Sequence, residues 1–263
     1  MKYPLPSTPV SESFRARRNR TAVLINIINL KNFFRFEPNR TGKSDQQKER
    51  QVSLMPYDYI TNADVIYRKS FAIIRAEAEL ANFSRREEQI AVRMIHAAGD
   101  IALEKSIRFS RTFAEIATKA LVAGAPILCD TKMVSEGITR SRLPAANDII
   151  CTLSDSRVND LSRSLNTTRS AAALELWQDH MAGAIVAIGN APTALFHLLN
   201  LLEDRRQPRP AAIIGCPVGF VGASESKDAL WQTQPTPCCT VLGRLGGSAI
   251  TVAAINAVAS RDE

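Results

Sequence analysis

Five short apolar runs, none of them alternating, most constrain what this chain can fold into. They fall at residues 125–130, 148–153, 184–188, 211–215 and 239–242. A strand wet on one face alternates apolar and polar residues, whereas a strand buried on both faces does not. Helical patterns separate most of these runs, at 168–182, 192–202 and 224–231, and a last one follows at 248–259. Strand–helix alternation predicts an α/β fold: an open, mainly parallel five-stranded sheet flanked by helices, with right-handed crossovers. Three further helical patterns, at 64–80, 85–98 and 111–123, come before the first run and form an N-terminal helical segment. Such sheets bind ligands at the carboxyl ends of their strands.

The helix at 85–98 carries the candidate acid. Ser84 and Glu87 have the spacing of a capping box. Ile90, Ala91, Met94, Ile95 and Ala98 recur at helical spacing, and Gly99 follows as a C-terminal cap. His96 therefore lies in the last turn, where the helix dipole favours the imidazolium, and Arg93 shares its face and opposes that charge. A histidine there can deliver a proton near neutral pH, or simply complement the helix end. His180 ends another helical pattern, and His197 sits on an apolar face as a hydrogen-bonded core residue.

Three of the strand exits are rich in glycine: residues 189–193, 215–227 and 243–248. Each precedes a helix, so backbone can approach a ligand closely and free N–H groups can meet anions. Neither GxGxxG nor GxxxxGK[ST] occurs, which argues against a nucleotide-dependent enzyme. The alternative for each loop is ordinary turn geometry. Together they suit a ligand with several carboxylates or phosphates. No nucleophile elbow, acid–base carboxylate pair or metal-ligand spacing is present, so no metal and no cofactor are expected.

The net charge of +7 lies entirely in the first fifth of the chain. Residues 1–54 hold 11 Lys/Arg against 4 Asp/Glu, while the remaining residues balance. The body is therefore not a nucleic-acid binder by composition. Residues 1–54 read as a basic extension, disordered or non-native, and the expected domain is 55–263. No apolar run is long enough to span a membrane. Five cysteines without a secretory signal fit the cytoplasm, and those at 129, 151 and 216 lie in apolar runs that bury them.

Several segments in order carry a resemblance. They are Tyr57-Asp58-Tyr59-Ile60, Ser70-Phe71-Ala72-Ile73-Ile74-Arg75-Ala76-Glu77, Arg93-Met94-Ile95-His96 and the stretch from Gly137 through Arg140 and Arg142 to Pro144. To these add Thr168-Arg169-Ser170, the GNAPTAL run from Gly189, the GFVGASESK run from Gly219, and Gly243 to Ser248. Read together they resemble the precorrin-8X methylmutase family of cobalamin (corrin) biosynthesis over about residues 55–263. The resemblance implies a homodimeric isomerase that moves a methyl group from C11 to C12 of a tetrapyrrole, turning precorrin-8X into hydrogenobyrinate. It implies His96 as proton donor and Ser70 and Arg93 as substrate contacts. The substrate's acetates and propionates would meet Arg140, Asn190, Ser226, Lys227, Gly246, Gly247 and Ser248. A cobalt-precorrin-8 methylmutase and a non-catalytic tetrapyrrole carrier are the alternatives.

Overall fold

The computed structural model describes residues 57–260, so the basic extension at 1–54 lies outside the described residues. The chain divides into two units, Met1–Tyr59 and Ile60–Glu263. Of the first, only residues 57–59 are described, and they form no helix or strand. The second holds all the elements that follow.

Helices α1 (Ala63–Glu77) and α2 (Arg85–Ala98) come first, then a 3-10 turn (Ile101–Lys105) and strand β1 (Ile107–Phe109). Helix α3 (Phe113–Val122) leads to β2 (Ile127–Cys129), α4 (Lys132–Gly137), a 3-10 turn (Arg140–Arg142) and β3 (Ile149–Ile150). Helices α5 (Val158–Ser164), α6 (Arg169–Ala172) and α7 (Gln178–Met181) precede β4 (Ile185–Ile188). The chain continues through α8 (Pro192–Glu203), β5 (Ala212–Gly215), α9 (Ala223–Thr233), β6 (Cys238–Val241) and α10 (Ser248–Ala259).

The sheet order is β1-β6-β5-β4-β2-β3. The five strands expected from the apolar runs are all present and run parallel to one another. The sheet nevertheless has six strands among the described residues, not five. The additional one, β1, pairs antiparallel with β6, Ile107 opposite Val241 and Phe109 opposite Cys239. Three residues with no alternation carry no signal of their own; β1 exists because the β6 edge offers it hydrogen bonds.

Period two along each strand divides the core in two. Ile127, Cys129, Ile185, Ala187, Ile214 and Val241 point to one face, where α1, α2, α3 and α10 pack. Leu128, Val186, Ile188, Ile213 and Cys238 point to the other, against α8, α9 and the segment around Leu174 and Trp177. Both faces are dry, which is why the runs do not alternate. Cys129 and Cys216 are buried as free thiols, whereas Cys151 is half-buried.

The helical pattern at 168–182 breaks into α6, a 3-10 segment (Ala173–Trp177) and α7. Thr152 accounts for the break: its hydroxyl donates to the Ala173 carbonyl at 2.8 Å and accepts from the Trp177 indole at 2.9 Å. A side chain that takes an internal helix carbonyl competes with the helix ladder.

Helix α2 packs along α10, and Arg86 fastens the pair. Its Nη2 donates to the carbonyls of Ala257, Val258 and Ser260 at 3.0, 3.0 and 2.7 Å, capping the end of α10. These carbonyls have no later helix turn to bond to. Replacing Arg86 by Ala should lower the unfolding free energy by about 1–3 kcal/mol, read from the midpoint of urea denaturation.

Candidate active site

The capping box that opens α2 is complete in both directions: Glu87 N–H donates to Ser84 Oγ, and Ser84 N–H donates to Glu87 Oε2 at 2.8 Å. At the other end Gly99 adopts φ 64°, and its N–H reaches the carbonyls of Ile95 and His96. These two caps fix the phase of the helix. Ile90, Met94 and Ile95 go into the core, so Arg93 and His96 come out together on its edge.

His96 is held from three sides. Its Nδ1 lies 2.8 Å from Ser70 Oγ on α1. The Phe71 ring meets the imidazole edge-on at 5.4 Å, and Tyr67 leans over it at the same separation. The Arg93 guanidinium lies over the same Phe71 ring, 5.4 Å from its centre. Aromatic packing of this kind adds about 0.5–1.5 kcal/mol per pair beyond buried area and restricts the imidazole to one orientation.

His96 and Arg93 open into a cleft of about 580 Å³. Its walls come from three places: Tyr67 on α1, Met133 to Arg142 after β2, and Ser248 to Asn256 on α10. The last two segments begin at the carboxyl ends of β2 and β6, where an open α/β sheet places its ligands. The cleft lining contains two arginines and one histidine and no Asp or Glu. Burial first, and then the charge of Arg142, lower the Arg93 pKa from its ordinary value. A guanidinium stays charged in any protein, so the consequence is a strong local preference for anions.

The other expected contacts are spread along the same sheet edge. Ser248 lies in the cleft wall. Arg140 sits exposed on the 3-10 turn and is not part of the lining; Arg142, two residues on, is. Asn190 is exposed at the exit of β4. Gly246 and Gly247 hold their loop tightly against its neighbour: a Cβ on Gly246 would stand 2.3 Å from the Cys216 carbonyl oxygen. Ser226 and Lys227 are fully buried, so they are not placed to meet a ligand from solvent. The Ser226 hydroxyl donates to the Ala223 carbonyl, and the Lys227 ammonium donates to the Leu245 carbonyl. Lys227 thereby tethers the 243–248 loop from beneath.

Sequence reasoning gave no role in the site to Tyr67, Arg142 or Asp130. Asp130, at the end of β2, is buried and accepts the N–H groups of Gly189, Asn190 and Ala191 at 3.1, 2.9 and 3.0 Å. Burial pushes its carboxyl above the ordinary range, against the downward pull of those bonds. It anchors the loop that follows β4, and Gly189 in that loop packs on Ser248 and Thr251 of α10. An aspartate just after an apolar run was the available signal. His197, expected as a hydrogen-bonded core residue, is about a fifth exposed and 2.6 Å from Glu175 Oε1.

A family model described as precorrin-8X methylmutase matches residues 65–261. The chain is 57% identical over 204 residues to a precorrin-8X methylmutase of Sinorhizobium sp, covering 77% of this chain and 97% of that protein. It is 53% identical over 207 residues to a precorrin-8X methylmutase of Pseudomonas aeruginosa, covering 78% and 99%. The crystal structure of a precorrin-8X methylmutase from Thermus thermophilus is similar at TM-score 0.66 and 38% identity, over 74% of this chain and 95% of that one.

The Lys227 tether has a pH signature. Burial lowers its ammonium pKa from 10.5 to about 8, while Cys216 and Asp228 pull it upward. Between about pH 8 and 10.5 the unfolded chain holds a proton that the folded chain has released. Stability rises with pH wherever the unfolded state binds more protons. Chemical denaturation across that window should show wild type gaining stability, as pH rises, relative to Lys227→Met. Parallel pH profiles for the two proteins would contradict this.

Proposed function

The chain belongs to the precorrin-8X methylmutase family, and from that premise we propose that His96 is the acid that assists the methyl shift. The protein is an isomerase, converting precorrin-8X to hydrogenobyrinate by intramolecular methyl transfer from C11 to C12. No atom is gained or lost, so a proton lent to the ring during the shift returns to the protein at its end. What the protein must supply is a shaped site, an orientation and a proton.

The 2.8 Å contact between Ser70 and His96 carries this reading. In the imidazolium both ring nitrogens are donors, so Nδ1–H donates to Ser70 Oγ and Nε2–H is left for the substrate. Ser70 is then a positioning residue that fixes which nitrogen faces the ring. Tyr67 and Val252 offer apolar surface to the macrocycle, and the cationic lining receives its carboxylates. Arg140, Asn190, Gly246 and Gly247 lie along the same loop edge, where peripheral acetates and propionates would reach them. The relatives at 53 and 57% identity bear the cobalt-free name, which supports a metal-free substrate. The same reading makes the protein a cytoplasmic homodimer; the exposed loop-tip residues Phe220 and Val221, 85% and 89% accessible, support self-association.

Incubation with precorrin-8X, followed by the absorbance change to hydrogenobyrinate, tests the assignment. Wild type should convert the substrate. Replacing a general acid typically costs about 10²–10⁴-fold, so His96→Ala should lose turnover by that factor with the fold intact. Ser70→Ala should lower kcat by less and leave KM nearly unchanged, because it disturbs the orientation of the acid and not the seat of the ring. Wild-type turnover in His96→Ala would overturn the acid role.

A further inference from the structure

We propose that Arg142 and Arg93 form a two-guanidinium seat for one peripheral carboxylate of the substrate, beside His96. The proposal rests on the reading that this cleft takes the tetrapyrrole, and it names a specificity-determining residue, Arg142, that fixes how the ring is turned toward the acid.

Three observations carry it. First, both arginines line the cleft, and no carboxylate lines it with them. Neither makes an ion pair among the described residues. The charge of Arg142 acts unfavourably on Arg93, and an anion bound between two such guanidiniums offsets that repulsion.

Second, the backbone that carries Arg142 is held in place. The Arg142 N–H donates to the Thr139 carbonyl at 2.9 Å, closing the 3-10 turn. Thr139 N–H in turn donates to Asn256 Oδ1 at 2.9 Å, and Asn256 Nδ2 donates to the Gly137 carbonyl at 3.3 Å. Asn256 belongs to α10, so the turn that carries Arg142 is pinned to the helix forming the opposite wall. A pinned turn spares the backbone its ordering cost, so only the Arg142 side chain has to be fixed on binding.

Third, the turn selects one arginine of two. At about three residues per turn, residues two apart point in different directions, so Arg140 and Arg142 cannot both face inward. The structure turns Arg142 in, half-buried, and Arg140 out. Arg93 is fixed from the other side by the Phe71 ring. A planar carboxylate accepts paired N–H donors from guanidinium groups, which gives direction as well as attraction.

Equilibrium titration of the full chain with hydrogenobyrinate, followed by absorbance, tests the seat. The same titration is run with hydrogenobyrinate whose carboxyl groups have all been converted to amides. Losing a charge-assisted pair should weaken binding of the acid form to Arg142→Gln by about 10- to 100-fold. Arg142→Lys should lose less, since the charge remains and the fork does not. The amide form should bind wild type and Arg142→Gln with nearly the same affinity, because the partner of Arg142 is already gone. Arg206→Gln, which breaks an exposed pair with Asp204, should bind both forms as wild type does. An equal loss for acid and amide forms would mean that Arg142 only shapes the cleft, and no loss at all would mean that it is not a contact; either overturns the proposal. Binding with this arginine dependence but no turnover of precorrin-8X would uphold the seat and overturn the catalytic reading instead.

Discussion

A parallel sheet that must be dry on both faces is the constraint from which the rest follows. Each of the five parallel strands sends alternate side chains to opposite faces, and every one of them is apolar or small. Helices must then cover both faces, and parallel neighbours require crossovers that run back over the sheet. Polar chemistry has nowhere to go but the rim. At the carboxyl rim the loops after β2, β4, β5 and β6 come together, and Asp130 shows how tightly. One buried carboxylate gathers three N–H groups from the neighbouring loop and positions it against the start of α10.

The site is the place where two helices from distant parts of the chain meet above that rim. Helix α2 brings His96 and Arg93, and α10 brings Ser248, Val252 and Asn256. Arg86 holds the two together through the carbonyls at the end of α10. The electrostatics are one-sided: cations in the lining, no acid among them, and a histidine whose second nitrogen is already engaged by Ser70. Such a cleft suits a polyanion that needs to be held and protonated rather than attacked. Stabilising a polycarboxylate ring in one orientation and placing one proton donor beside it is a small demand on chemistry and a large one on geometry.

Much of this was legible in the amino-acid order because it depends on local periodicity. The unalternating runs announced both the strands and their double burial. The Ser84–Glu87 spacing and Gly99 set the ends of α2 to the residue, and so placed His96 in its last turn. Strand β1 was invisible because its three residues acquire a strand conformation only by pairing with β6. The break at 173–177 was invisible for a like reason: Thr152, some twenty positions earlier, takes a carbonyl from what reads as a continuous helix. Lys227 looked like a ligand contact because it is a cation beside a glycine-rich loop, yet folding turns it inward to hold Leu245.

Sequence by itself determined the α/β architecture, the caps of the histidine helix and the absence of nucleotide or metal motifs, since each is written in spacing along the chain. Ordered motifs also carried the family, which matching to known proteins bears out. Tertiary structure alone decided which side chains share the cleft. Arg140 and Arg142 are equivalent on paper, and only the pinned 3-10 turn makes one of them a wall of the site. Ser70 becomes the partner of His96 only when α1 and α2 pack side by side. Such pairings depend on how helices rotate against a shared core, and no spacing within a single segment encodes that rotation.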